Sequence, residues 1–194
     1  MNMTKITNNG YRLTDIFDAV TMSEMLVIVN SFVPTLIRTV PNSRREVYYA
    51  EPKLHNKVVK LFIDIINQLT PNVSTINAVE FWRDYPLYTS TRHTDDATAQ
   101  NVAIVYLDSG DSGMGTFFTE DGIDYTTDYI TNTGLLLLNS SKIEHGMIDK
   151  VTAADYRRVM YINWQTANKI INNDKIINTD SGKKIIQNRI RTIK

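Results

Sequence analysis

Beyond Pro71 the chain is cut into short β-type runs by turn residues, and this rhythm limits its possible folds more than any other feature. The runs cover residues 76–83, 87–94, 102–107, 115–118, 125–129, 134–138, 144–148 and 157–164. Between them lie breaks such as Asp108-Ser109-Gly110-Asp111-Ser112-Gly113 and Glu120-Asp121-Gly122, whose residue types favour turns over continued strands. Seven or eight short strands after two helical segments suggest an α+β chain. They predict a jelly roll, in which two antiparallel sheets pack together and enclose a pocket.

The first third of the chain reads differently. Residues 11–20 suit an edge strand or an irregular lead-in. Thr21-Met22-Ser23-Glu24 has the form of a capping box opening a helix. Met25, Leu26, Val29 and Phe32 follow at helical spacing, until Pro34 interrupts. Residues 46–50 suggest a short strand. Pro52 suits a first helical position, and Leu54, Val58, Leu61, Phe62, Ile65, Ile66 and Leu69 then mark one face of an amphipathic helix. The fold class expected is therefore α+β: supporting helices within 21–69 and a jelly roll over about 76–165. The domain as a whole would span 1–165. A basic extension, 166–194, would follow, helical or extended, with Ile170, Ile171, Ile176, Ile177, Ile185, Ile186 and Ile190 able to make a terminal helix or two.

Composition narrows the chemistry. With no cysteine, the chain has no disulfides, thiolate nucleophiles or Cys-ligated metals. A metal would have to be held by carboxylates and by His55, His93 and His145, the three histidines present. Lys+Arg and Asp+Glu balance at 21 each, but ten acids and two bases fall between Glu80 and Asp128, and seven bases and two acids between Gln165 and Lys194. The basic tail lacks aromatic residues on which bases could stack, so nucleic-acid binding is not expected. With no leader and no long apolar run, a cytoplasmic protein without a membrane partner is expected, and three Asn-x-Ser/Thr triplets read as chance matches. No Gly-x-Ser-x-Gly elbow is present, and the glycines near 108–115 lead into a strand instead of a phosphate-cradling helix. His55, beside Asn56 and Lys57 on a helix, reads as a surface residue.

His93-Thr94-Asp95 places an imidazole and a carboxylate two residues apart, on the same face if the segment is a strand. His145, in another predicted strand, adds a second imidazole. Two histidines and one carboxylate form the facial triad of non-haem Fe(II) oxygenases, which leaves coordination positions open. A His-x-Asp pair alone carries little weight; its downstream context carries more.

From about Ile76 to Trp164 the chain resembles the prolyl-4-hydroxylase-like branch of the 2-oxoglutarate oxygenases. His93-Thr94-Asp95 matches the family's His-x-Asp. Val105-Tyr106-Leu107-Asp108 matches its strand ending in Tyr-Leu-(Asn/Asp). Gly113-Met114-Gly115-Thr116-Phe117-Phe118 resembles its Gly-Gly-x-Thr-x-Phe segment. Gly134-Leu135-Leu136-Leu137-Leu138 and His145-Gly146 fit the strand leading to its His-Gly. Arg158-Val159-Met160-Tyr161-Ile162-Asn163-Trp164 has the basic-residue-to-Trp spacing of its last strand. Each motif is weak, but all five stand in family order.

The resemblance implies an Fe(II)- and 2-oxoglutarate-dependent dioxygenase that hydroxylates a substrate C–H bond and releases succinate and CO2. His93, Asp95 and His145 would hold iron and form the catalytic centre. The cofactors implied are Fe(II), 2-oxoglutarate and O2, with ascorbate as a further candidate. Arg158 and Tyr106 would hold the remote carboxylate of 2-oxoglutarate, a group that needs a charged partner when buried. Arg157 is the rival, since neighbours on a strand face opposite ways; the Trp spacing favours Arg158. Tyr85 is the first match for a pocket-lining tyrosine, with Tyr88 behind it, and core packing is an equal alternative for Tyr85. The step from His145 to Arg158 is longer than usual for the family. An intact Asp95 favours hydroxylation over halogenation, and Trp164 stands where the nucleic-acid-repair branch has a second Arg. The substrate expected is a peptidyl proline in a peptide or protein; a free amino acid or small metabolite is the alternative, and a non-catalytic jelly-roll binding module the competing class.

Overall fold

The computed structural model describes residues 1–69, 73–152, 156–166, 171–172 and 175–176. Its elements are β1 (Asn2–Lys5), β2 (Gly10–Thr14), α1 (Ala19–Ser31), β3 (Leu36–Val40), β4 (Ser43–Tyr49), α2 (Pro52–Leu69), β5 (Val73–Asp84), β6 (Asn101–Tyr106), a 3-10 turn (Ser112–Met114), β7 (Thr116–Glu120), β8 (Ile123–Thr127), β9 (Thr133–Leu137), β10 (His145–Met147), β11 (Arg157–Thr166), β12 (Ile171–Asn172) and β13 (Lys175–Ile176). Eight strands form one sheet in the order β1-β2-β9-β6-β11-β5-β4-β3, and three form a second in the order β10-β7-β8. Every pairing in both sheets is antiparallel. The fold is an α+β double-stranded β-helix.

Strand alternation explains why the large sheet reads as nearly continuous apolar runs. On β11, Met160, Ile162 and Trp164 face one way and join a core with Met22, Met25 and Val29 of α1 and Val58, Phe62 and Ile66 of α2. Val159 and Tyr161 face the other way and pack with Phe118 of β7 and Met147 of β10 in the space between the sheets. Both faces of the sheet are covered, so both parities are hydrophobic. The helices support the sheet from outside, and the gap between the two sheets is left for a pocket.

Several local expectations shift. The first helix starts earlier than the Thr21 capping box: Asp18 is its cap, its side chain accepting from the Thr21 backbone N–H at 2.7 Å. The strand expected over 87–94 does not form. Leu87 takes a left-handed backbone conformation (φ 69°), and the chain runs as a loop from Tyr85, meeting the small sheet at the His93–His145 bridge and through the Met147 N–H on the Ser90 carbonyl at 2.9 Å. The 46–50 strand is longer than read and pairs with an unforeseen β3. Most of the expected terminal helix falls outside the described residues; within them, β12 and β13 pair with each other.

Candidate active site

The bridge that replaces the expected strand brings the histidines together. His93 N–H donates to the His145 carbonyl at 3.0 Å, and His145 N–H returns the bond at 2.8 Å. Asp95 is held by its own N–H on the Ser140 carbonyl at 3.3 Å. One ligand-type atom from each of His93, Asp95 and His145 then lies within 4.8 Å of the others. Asp95 carboxylate oxygens are 4.0 Å from His93 Nε2 and 3.5 Å from His145 Nε2.

The ring orientations suit a metal. His93 Nδ1 lies 2.7 Å from the Thr91 carbonyl, and His145 Nδ1 lies 2.9 Å from that of Ile143. A carbonyl can only accept, so each Nδ1 carries the proton and each Nε2 presents a lone pair to the common centre. Burial pushes His145 below the ordinary imidazole pKa, keeping it neutral. Asp95 Oδ2 is buried and has no hydrogen-bond partner. A buried carboxylate oxygen without a donor is costly, and a cation shared with two imidazoles would satisfy it. Two nitrogens and one oxygen at this separation fit Fe(II).

The triad opens onto a cavity of about 380 Å³ whose far wall is the inner face of the large sheet. The register aligns Arg38, Arg45, Asp84 and Arg157 in one row across β3, β4, β5 and β11. Asp84, fully buried, accepts from Arg45 at 2.5 and 2.9 Å and from Arg157 at 3.1 Å. Arg45 also lies against the rings of Trp82 and Tyr88. Two buried guanidiniums share one carboxylate, so this end of the cavity has a formal excess of one positive charge. Arg157 further donates to the Met114 carbonyl at 2.7 Å and to Thr116 Oγ1 at 3.3 Å. Tyr106, singled out from the sequence, does not line the cavity: it is buried behind Thr116, its hydroxyl 2.8 Å from both Thr116 Oγ1 and Thr127 Oγ1.

Two more of the residues singled out from the sequence, Arg158 and Tyr85, lie outside the cavity. Arg158 shares the parity of Met160 and Trp164, so its side chain leaves the cavity; it donates to Asp108 at 2.6 Å and to Asn30 at 2.8 Å. Arg157, the rival, is the inward-facing arginine, 2% exposed. Tyr85 sits on the outside of the loop, under Arg44 and edge-on to Tyr156; Tyr88 lines the cavity instead. Sequence reading missed Arg45 and Asp84 because their pairing spans 39 residues and has no local motif. His55 lies at the start of α2, away from the cavity lining.

No family model and no curated protein matches the sequence. Solved structures do match. A Pseudomonas putida prolyl-4-hydroxylase superposes with a TM-score of 0.65 at 14% identity, covering 84% of this chain and 95% of that one. A Trichoplax adhaerens prolyl hydroxylase, solved with a peptide fragment of the hypoxia inducible factor oxygen degradation domain, gives 0.67 at 12%, covering 82% and 84%. The non-heme alpha ketoglutarate dependent epimerase SnoN of nogalamycin biosynthesis gives 0.66 at 11%, covering 82% and 78%. The chain has the fold of the 2-oxoglutarate–Fe(II) oxygenases, a fold whose members include both hydroxylases and an epimerase.

Proposed function

We propose that this chain is an Fe(II)- and 2-oxoglutarate-dependent dioxygenase that hydroxylates a substrate C–H bond. The carrying observation is the orphaned Asp95 Oδ2, facing two imidazoles whose Nε2 lone pairs are oriented by backbone carbonyls. His93, Asp95 and His145 would hold the metal, with room left for the co-substrate. When bound, iron, 2-oxoglutarate and O2 supply the oxidation, releasing succinate and CO2. The protein's contribution is position and charge. Arg157 would take the remote carboxylate of 2-oxoglutarate, neutralising the excess positive charge it shares with Arg45, while the Thr116 hydroxyl, backed by that of Tyr106, provides a hydrogen bond beside it. Buried Trp82, Tyr161 and Met147 line the inner side of the cavity, while His93 stands on its solvent-facing side.

A peptide or protein hydroxylase of the prolyl-4-hydroxylase type is the first reading of the substrate, in line with the order of the sequence motifs. A free amino acid or small metabolite is the alternative. Adding Fe(II) and 2-oxoglutarate under nitrogen should produce a weak visible charge-transfer band, which His93→Ala should abolish. A wild-type protein that forms no such band is a jelly-roll binding module instead. Succinate formation against proline peptides and free amino acids then separates the two substrate readings.

A further inference from the structure

We propose that Glu80 and Asn163 form a substrate subsite for a cationic group, an ammonium or guanidinium carried by the molecule to be hydroxylated. This rests on the oxygenase reading and adds the substrate's charge. Both residues line the triad's cavity, and both are buried, at 6% and 9% exposure. Glu80 faces inward from β5 opposite Tyr161; Asn163 is the next inward residue on β11. A register shift beside Asn163, where β5 carries one extra residue, sets its direction.

Neither side chain is fully satisfied within the protein, although the Asn163 amide meets the Tyr161 hydroxyl. One Glu80 oxygen accepts from the Trp82 indole N–H at 2.6 Å, and among the described residues no cation forms an ion pair with this carboxylate. Arg45, the nearest buried candidate, is committed to Asp84 through two hydrogen bonds. Arg38 stands exposed at the rim and acts on Glu80 only from a distance. Asn163 Oδ1 is buried with no hydrogen-bond partner. Two hydrogen-bond acceptors, one of them anionic, therefore face a space large enough for a ligand. A neutral donor would satisfy Asn163 but leave the Glu80 charge unbalanced, and an anion would be repelled by Glu80 and Asp95 together. A cation satisfies both acceptors. The cavity thus has an anion-binding end at Arg157 and a cation-binding wall at Glu80 and Asn163.

The test loads the full chain with Mn(II) and 2-oxoglutarate under nitrogen and titrates ligands by calorimetry. The probes are L-lysine, L-arginine and Lys- or Arg-containing tripeptides, each beside a neutral counterpart built on norleucine, citrulline or Nε-acetyl-lysine. At least one basic probe should bind roughly tenfold tighter than its counterpart, as expected for a charge-assisted pair, and should stimulate succinate formation with Fe(II). Glu80→Gln, which keeps an acceptor for Trp82, should erase that preference, and Asn163→Asp should enlarge it. Equal binding of basic and neutral probes, binding by no basic probe, or a preference that survives in Glu80→Gln would overturn the subsite. Failure to bind 2-oxoglutarate at all would overturn the oxygenase reading, and the subsite with it.

Discussion

Adjacent arginines on β11 do opposite things, and the difference can be measured one residue at a time. Arg157→Ala should weaken 2-oxoglutarate binding by about a hundredfold, the loss of a buried charge-assisted contact, without unfolding the protein, because Asp84 keeps Arg45. Arg158→Ala removes an ion pair at the edge of the fold, worth little, and should leave co-substrate affinity unchanged. Titration of the charge-transfer band in each variant distinguishes the two; loss of affinity in Arg158→Ala would restore the sequence-based assignment. Asp84→Ala should be far more damaging, about 3–5 kcal/mol, since it strands two buried guanidiniums. Glu80 should behave in the reverse sense. Burial raises its pKa above the ordinary carboxylate value, so the folded state holds a proton that the unfolded state has already released. Its relative contribution is greatest below the unfolded pKa and is lost as pH rises through the folded one. Above the unfolded pKa the buried carboxyl therefore costs stability, and Glu80→Gln should raise stability at pH 7 by about 1 kcal/mol, or roughly 2–4 °C in Tm. A thermal scan at pH 7 showing a lower Tm would contradict this.

At the scale of elements, legibility in the sequence followed from how many sides of a segment were constrained. The amphipathic α2 has one apolar face and one wet face, so its register and its Pro52 start were readable. β6, β9 and β11 were also readable as strands, but not which way their side chains point. With helices on one face of the sheet and the second sheet on the other, alternation separates two cores and does not mark the pocket. Trp164 belongs to the helix-side core, so counting back from it favoured Arg158 over its rival Arg157, the inward-facing one. The structure brings His93, Asp95 and His145 together although the strand expected to hold two of them is absent: the His93–His145 bridge and the Ser90 and Ser140 carbonyls hold the loop instead, and none of these has a local signature. The motif around Gly115 was readable, and its physical reason is close packing. A Cβ there would overlap the Thr127 carbonyl oxygen on β8. Gly115→Ala should push β8 away from β7, disturb the Thr116 and Thr127 contacts with Tyr106, and cost about 2 kcal/mol or more. The matched measurement is a denaturant melt together with 2-oxoglutarate affinity; both should suffer, whereas Arg157→Ala should impair chiefly the affinity.

On the scale of the whole molecule, the proposed ligands would join three separate parts of the fold. His93 and Asp95 lie on a loop, His145 on the small sheet, and Arg157 on the large sheet. Metal would tie the loop to the small sheet, and 2-oxoglutarate would extend that tie across the cavity to β11. Ligands that bind only the folded state raise its stability by mass action. At a hundredfold excess over Kd, Mn(II) should stabilise the protein by about 2.7 kcal/mol, and 2-oxoglutarate should add a further increment only when metal is present. In Arg157→Ala the metal increment should remain and the second should vanish. A pH dependence follows from His145. Burial holds its pKa below the ordinary 6.5, so above pH 6.5 neither state is protonated and its contribution is complete. As pH falls below 6.5 the unfolded chain takes up a proton that the folded protein resists, and stability declines until the lowered folded pKa is reached. In the presence of metal the decline should be steeper, because each proton on an imidazole also competes with the ion. Melting curves between pH 7.5 and pH 5, with and without Mn(II), should therefore converge toward low pH. Parallel curves would mean that metal binds away from the His93–Asp95–His145 centre.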